Sequence, residues 1–108
     1  MKTEDKDTTI IIKKDSESFE ELAKQIGEQL SSMTDKNIII DLDDIEIRPS
    51  SLIFFEELAR FQMRQKKSFV IVADIDFDEV DDAMIVVPTL QEAFDMIQME
   101  EIERDLGF

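Results

Sequence analysis

The stretch Asn37-Ile38-Ile39-Ile40-Asp41-Leu42 is an apolar run that ends in acid, and it leads through Pro49-Ser50-Ser51 to Phe69-Val70-Ile71-Val72. This order predicts a strand, a serine-bearing turn, a helix and a second strand. A continuous apolar strand is typical of burial on both faces, which requires a parallel or mixed sheet covered by helices. We therefore expect the serines at a helix start, beside the sheet and open to solvent.

Hydrophobic periodicity predicts the other elements. Strands are expected over residues 8–13, 37–42, 68–73 and 84–87, long helices over 18–33, 51–66 and 89–102, and a short helical turn over 77–82. Ser18 and Thr89 have the spacing of capping boxes, and the apolar stripe of the second helix is Leu52, Phe55, Leu58, Ala59 and Met63. The prediction is an α/β fold of order β-α-β-α-β-(short α)-β-α, with a four-stranded, mixed, mostly parallel sheet. Residues 1–7 are expected to be a flexible arm and residues 8–108 a single domain.

Composition excludes several classes of function. The chain has 108 residues, 27 acidic against 12 basic, and a net charge of −15, so nucleic acid and anionic membranes would be repelled. It has no cysteine and no histidine, which excludes disulfides, thiolate zinc sites and imidazole catalysis. No run approaches the apolar length of a signal peptide core or a membrane span. We expect a cytoplasmic protein with no cofactor, whose partner is a protein with a basic or apolar groove.

The central stretch resembles a STAS domain, the fold of bacterial anti-sigma factor antagonists and of sulfate-transporter tails. The resemblance covers about residues 8 to 100 and rests on the element order, on the serines after a strand ending in Asp-Leu, and on the helix start after the last strand. The family pattern Asp-Leu-x-x-Val-x-x-Ile-Asp-Ser-Ser-Gly-Leu aligns without gaps on residues 41–53. The C-terminal region is similar to small bacterial STAS-like proteins, some labelled ribonuclease Z. That label does not fit a chain without histidine, because the zinc pair of that enzyme depends on a histidine-rich motif.

The resemblance implies that Ser50 or Ser51 is phosphorylated by a partner kinase and docks an anti-sigma-like partner, beside the acids Asp41, Asp43 and Asp44. The chain departs from the family at Arg48, Pro49 and Leu52, where the family has an apolar residue, Asp and Gly, and it shows one N-terminal strand where two are usual. A structural interpretation stands beside the functional one. Serines at a helix start commonly serve only as caps for unpaired backbone amides.

Alternating carboxylates after the third predicted strand invite a metal interpretation. These are Asp74, Asp76 and Asp78, but an EF-hand loop starting at Asp74 would need Gly at Glu79 and a carboxylate at Ile85. A strand followed by Asp-x-Asp also occurs in haloacid-dehalogenase-type phosphatases, whose remaining loops and cap do not fit in a chain this short. A solvated acidic loop is the favoured interpretation.

Candidate contact residues are Arg48, Phe54, Arg60 and Arg64. Arg60 and Arg64 are one helical turn apart and form either a basic patch or simple partners for the negative end of their helix. Two classes of function follow. The favoured one is a non-catalytic module that binds another protein at the start of the second helix, and phosphorylation of Ser50 or Ser51 is the gate that the resemblance implies. The rival is a domain that binds a small ligand or a divalent metal through strand-end carboxylates.

Overall fold

The structure, a computed structural model, describes residues 1–33, 35–75 and 84–107. This part of the chain has an α/β fold with five strands in one mixed sheet. Its elements are β1 (Lys2–Lys6), β2 (Thr9–Lys13), α1 (Phe19–Gln29), a 3-10 turn (Leu30–Ser32), β3 (Asn37–Asp41), a 3-10 helix (Pro49–Phe55), α2 (Glu56–Arg64), β4 (Phe69–Val72), β5 (Ile85–Val87) and α3 (Leu90–Asp105). The short helical turn predicted over residues 77–82 lies outside the described residues.

The strands lie side by side in chain order, β1-β2-β3-β4-β5. β1 is antiparallel to β2, and the other three pairings are parallel. The prediction of a mixed, mostly parallel sheet is therefore confirmed, and the count of four strands is wrong.

The additional strand is β1, in the segment expected to be a flexible arm. Lys2 pairs with Lys13 and Lys6 with Thr9, and the turn between the strands has Asp7 at φ 68°. All five β1 side chains are exposed, and none of the five residues is apolar. The alternation of apolar and polar residues that marks a half-buried strand is therefore missing from its sequence. β1 forms because β2 would otherwise leave a row of backbone amides and carbonyls unpaired at the edge of the sheet. The chain thus opens with the hairpin whose absence the sequence suggested.

Each face of the sheet has its own hydrophobic core. The larger core joins alternate strand residues to α1, to the 3-10 helix and to α2, and is centred on Ile12, Leu22, Ile40, Phe55 and Ile71. On the other face, Ile39 and Val70 pack with Ala93 and Ile97 of α3. Burial on both faces explains why β3 and β4 read as unbroken apolar runs.

The second helix differs from its prediction in two ways. It begins as a 3-10 helix and becomes α-helical only at Glu56. Leu52, Phe55, Leu58 and Ala59 are buried as expected, whereas Met63 is exposed and Gln62 is fully buried in its place. The Gln62 Nε2 donates to the carbonyl oxygens of Lys36, at 2.9 Å, and Ser68, at 3.4 Å, while its Oε1 is buried without a hydrogen-bond partner among the described residues.

The parallel strands give the sheet two distinct ends. We call the end where β2 to β5 finish the carboxyl end, and the end where they start the amino end. The 3-10 helix follows β3 and so begins at the carboxyl end, whereas α2 and α3 both finish at the amino end, near Ser68.

Candidate functional site

The 3-10 helix Pro49–Phe55 holds the serines that the sequence singled out. Arg48 is extended, at φ −95° and ψ 147°, as a residue before proline prefers, and Pro49 opens the helix. The first turn closes where Ser51 N donates to Arg48 O at 2.9 Å. Local sequence therefore fixes where this helix begins.

A 3-10 helix has three residues per turn, so side chains three apart share a row. Leu52 and Phe55 form the inward row and are buried against the larger core. Ser50 and Ile53 form an outward row: Ser50 is exposed, and Ile53 is 62% exposed. In the third row Ser51 is half-buried and Phe54 is 41% exposed. We call Ser50, Ile53 and Phe54 the serine surface.

The expectation that the serines cap this helix is wrong. The cap position is occupied by Arg48, whose side chain makes no capping bond, and the hydroxyls of Ser50 and Ser51 form no hydrogen bond with other described residues. The caps predicted elsewhere are confirmed, since Ser18 Oγ accepts from Glu21 N and Thr89 Oγ1 from Glu92 N, both at 3.1 Å. Capping therefore does not explain Ser50 or Ser51.

The acids that precede the serine surface form a turn at the carboxyl end of β3. Asp41 Oδ1 accepts from Asp43 N at 3.2 Å, and Asp41 Oδ2 lies 3.7 Å from Lys13 Nζ. Asp41 is half-buried and serves this turn, while Asp43 and Asp44 are exposed. Asp44 also lines a small cavity of about 120 Å³ with Lys13 and Lys14. Asp43 and Asp44 thus give this end of the molecule an acidic, solvent-facing rim.

The predicted contact residues do not gather in one place. Arg48 is exposed directly before the serine surface, and Phe54 belongs to it. Arg60 lies along α2, where its Nη2 is 3.6 Å from Glu56 Oε1 and its Nη1 is 3.9 Å from Glu57 Oε1. Arg64 is exposed in the last turn of α2, at the opposite end of the sheet from the serines. Arg60 and Arg64 are therefore not part of the serine surface.

Of the three carboxylates considered as metal ligands, one lies within the described residues. Asp74 is exposed directly after β4, while Asp76 and Asp78 lie outside the described residues. Among residues 1–33, 35–75 and 84–107, no three carboxylates come together in a way that could hold a metal ion. No described residue thus favours a metal site at this end of the sheet.

Sequence reasoning missed a polar network at the amino end. Asn37 Nδ2 donates to Glu101 Oε1 and Asn37 Oδ1 accepts from Ser68 N, both at 2.9 Å, while Arg104 Nη2 donates to Ser68 Oγ at 3.1 Å. Asn37, Ser68 and Gln62 are buried. The available signal was a polar residue at the start of an apolar strand, since a buried polar group must find partners.

A second missed contact joins the N-terminus to the loop before α1. The Met1 amine donates to Glu17 Oε2 at 2.9 Å, and Glu17 Oε1 accepts from Asp15 N at 2.8 Å. The hydrogen bond from the Asp15 amide and the smaller contribution of the Met1 amine stabilise the charged carboxylate. Together they outweigh desolvation, which acts in the opposite direction, and they lower the pKa of Glu17 to about 2. The pair fixes the start of β1, so it is a structural contact.

Comparisons with known proteins do not assign the chain: no protein-family model matches it, and no curated protein matches its sequence. None of the helices in the described part of the chain is both long and apolar enough to cross a membrane. The interpretation of the serine surface therefore rests on its own geometry and on the sequence pattern of residues 41–53.

Proposed function

We propose that this protein is a non-catalytic regulatory module of STAS type that binds another protein through the serine surface, in the cytoplasm. One observation carries the proposal. Ser50 and Ile53 stand outward in one row while Leu52 and Phe55 of the same helix are locked into the core. A helix that is anchored in the core and presents a hydroxyl beside exposed apolar side chains suits protein docking. Adjoining apolar side chains are removed from water when a partner covers them.

The surroundings of Ser50 suit a phosphorylation switch. A phosphate there would lie at a helix start, where backbone amides attract anions, but also near the exposed acids Asp43, Asp44 and Glu46. It would add about −1.5 to −2 charges to an acidic rim. We expect phosphate at Ser50 to weaken the docking of a partner that fits the unmodified surface. The hairpin of β1 and β2, which the family pattern includes, adds support for the STAS resemblance.

Site-specific photo-crosslinking tests the docking face. A photoreactive phenylalanine analogue at Phe54 should capture one protein from the cells that make this chain. The same analogue at Gln65, which is exposed at the amino end, is the matched control. The proposal is contradicted if positions 54 and 65 capture the same set of proteins.

The switch is tested in the same assay with two substitutions of one residue. Ser50→Ala should keep the crosslink from position 54, because it preserves the uncharged surface, and Ser50→Asp should reduce it several-fold. Intact-mass measurement of the protein from its native cells should show a species heavier by one phosphate, absent from Ser50→Ala. Equal capture by the Ala and Asp variants would exclude gating at Ser50 while leaving docking intact.

The rival class is tested by thermal unfolding. A rise in Tm of several degrees with sub-millimolar calcium or magnesium would favour a metal-binding domain. The non-catalytic proposal expects no such rise from either ion.

A further inference from the structure

The helix α3 has two apolar faces, and packing against the sheet accounts for only one. Ala93 and Ile97 are buried on the sheet, and Leu90, Phe94 and Met96 pack against the same core. A surface helix of a globular protein normally buries one apolar stripe and turns polar side chains to solvent. The outer face of α3 departs from that pattern.

Three large apolar side chains line this outer face, and the last of them belongs to the residue that caps the C-terminus of α3. Met99, Ile102 and Leu106 are 56%, 52% and 66% exposed. Their spacing of three and four residues places them on one side of the helix, roughly within 40° of the direction opposite to Ile97 at 3.6 residues per turn. We call these three residues the outer row. An exposed apolar row over two helical turns is unusual for a surface that faces only water.

The charged residues of α3 that border the outer row are all acidic. Asp95 and Glu103 border it and are exposed, and Glu92, also exposed, lies on the same half of the helix. The single basic residue of α3, Arg104, is turned away, because its Nη2 donates to Ser68 Oγ at 3.1 Å. The outer half of α3 thus carries an apolar row bordered by acids of its own helix, and Glu103, near the end of the row, also lines a cavity with Lys66 and Lys67.

This charge pattern selects among possible occupants. A second copy packed row against row would oppose the same acids, in a chain of net charge −15. An anionic membrane would be repelled, whereas helices that bind such surfaces carry basic residues beside their apolar face. A partner with an apolar ridge bordered by lysine or arginine fits both features.

We propose that the outer row of α3 binds a basic amphipathic helical segment of another protein, at a surface separate from the serine surface. A helix suits because residues three and four apart on the partner form a ridge of the same period as the outer row. The apolar ridge covers Met99, Ile102 and Leu106, and flanking cations face Glu92 and Asp95. Attraction between these charges makes the binding sensitive to salt.

A designed peptide is the probe. An 18-residue helix of leucine and lysine with a single apolar stripe, fluorescently labelled, is titrated with the protein, and binding is mapped by amide chemical shifts. We expect shifts concentrated over residues 95–106. Ile102→Gln should weaken binding about tenfold, because it removes one buried aliphatic side chain. Ile53→Gln, the same change on the serine surface, should leave the affinity unaltered.

Two further arms separate the proposal from simple attraction between opposite charges. A peptide of the same composition but scrambled order should bind at least about tenfold more weakly, because it has no apolar ridge. The proposal is overturned if the scrambled peptide binds equally well, or if Ile102→Gln and Ile53→Gln have the same effect. Light scattering tests the remaining occupant, since a dimer that Ile102→Gln dissociates would assign the outer row to a second copy.

Discussion

The amino and carboxyl ends of the sheet are built on opposite principles. At the amino end, polar side chains are buried and bonded to one another: Asn37 joins Glu101 and Ser68, and Ser68 joins Arg104. At the carboxyl end, Ser50, Asp43 and Asp44 are exposed, and the Ser50 hydroxyl is unpaired among the described residues. Both ends are polar in sequence, so composition alone does not distinguish them.

The contrast separates structural polarity from polarity left for a partner. Burying a polar group costs free energy unless it is hydrogen-bonded, so the partners of Asn37 and Ser68 are fixed by the fold. An exposed polar group bonds to water and stays available. Substitutions of the buried polar residues at the amino end should therefore lower the free energy of unfolding. Substitutions of the exposed residues at the carboxyl end should change only the affinity for a partner.

The largest expected effect is at Asn37. Asn37→Ala removes both side-chain bonds and leaves the buried Ser68 amide without its acceptor, so we expect the free energy of unfolding to fall by about 3 kcal/mol. Asp43→Ala, at the carboxyl end, is the matched control and should change it by less than about 0.5 kcal/mol. Denaturant titration measures both. Similar losses in the two variants would remove the distinction between the ends.

Sequence alone predicts the centre of this fold well. The runs in β3 and β4 are apolar because both faces are buried, and that cause acts on every residue of the run. Ser18 and Thr89 were predictable as caps because the capping bond is local. These features require no knowledge of distant residues.

Two of the features that sequence missed depend on distant residues. β1 exists only because β2 offers a free edge, and Gln62 is buried only because Lys36 and Ser68 present carbonyl oxygens to it. Within the candidate site, the exposure of Ser50 was predictable from its place after a buried strand. The 3-10 geometry of the helix that carries it was not, because the apolar periodicity of residues 51–66 also fits the α-helix that was predicted.

Glu17 is an exception at the carboxyl end, since it is largely buried and paired. Its pKa, about 2 in the folded state against an ordinary 4.5, means that it stabilises the fold above about pH 4.5 and progressively less as the pH falls towards 2. Glu17→Gln should therefore reduce stability at pH 7 by about 1 kcal/mol. The difference in Tm between Glu17→Gln and the wild type should become smaller as the pH is lowered from 4.5 to 3.

Glu28→Gln is the control for this pH series, because Glu28 is exposed at the end of α1. The Tm of Glu28→Gln should differ little from that of the wild type at any pH in the series. If the loss in Glu17→Gln were the same at pH 7 and pH 3, the ionised pair would not be its cause, and Glu17 would cease to be an exception at its end of the sheet.

Lys66 tests the amino end in the opposite direction. Lys66 follows the end of α2 and has a left-handed backbone, with φ at 59°. Its amide donates to Met63 O, and the amide of Lys67 donates to Gln62 O. Glycine is the favoured residue at this position of such a helix end. Lys66→Gly should relieve the left-handed backbone and stabilise the protein by about 0.5 kcal/mol. Gln65→Gly, one residue earlier at φ −83°, should destabilise it by a similar amount. Two changes of the same sign would show that the left-handed turn is not strained.

The smallest expected effect on stability is at Ser50, and it decides how the crosslinking result is interpreted. Ser50 is exposed, so Ser50→Asp should change the free energy of unfolding by less than about 0.5 kcal/mol, the usual range for surface sites. Ser51 is half-buried, and Ser51→Asp should destabilise more because its charge is partly desolvated. Denaturant midpoints of the two variants measure this order. If Ser50→Asp is as stable as wild type, its loss of a crosslink reports altered docking; if it unfolds more readily than Ser51→Asp, the serine surface is structural and the two ends of the sheet do not differ in kind.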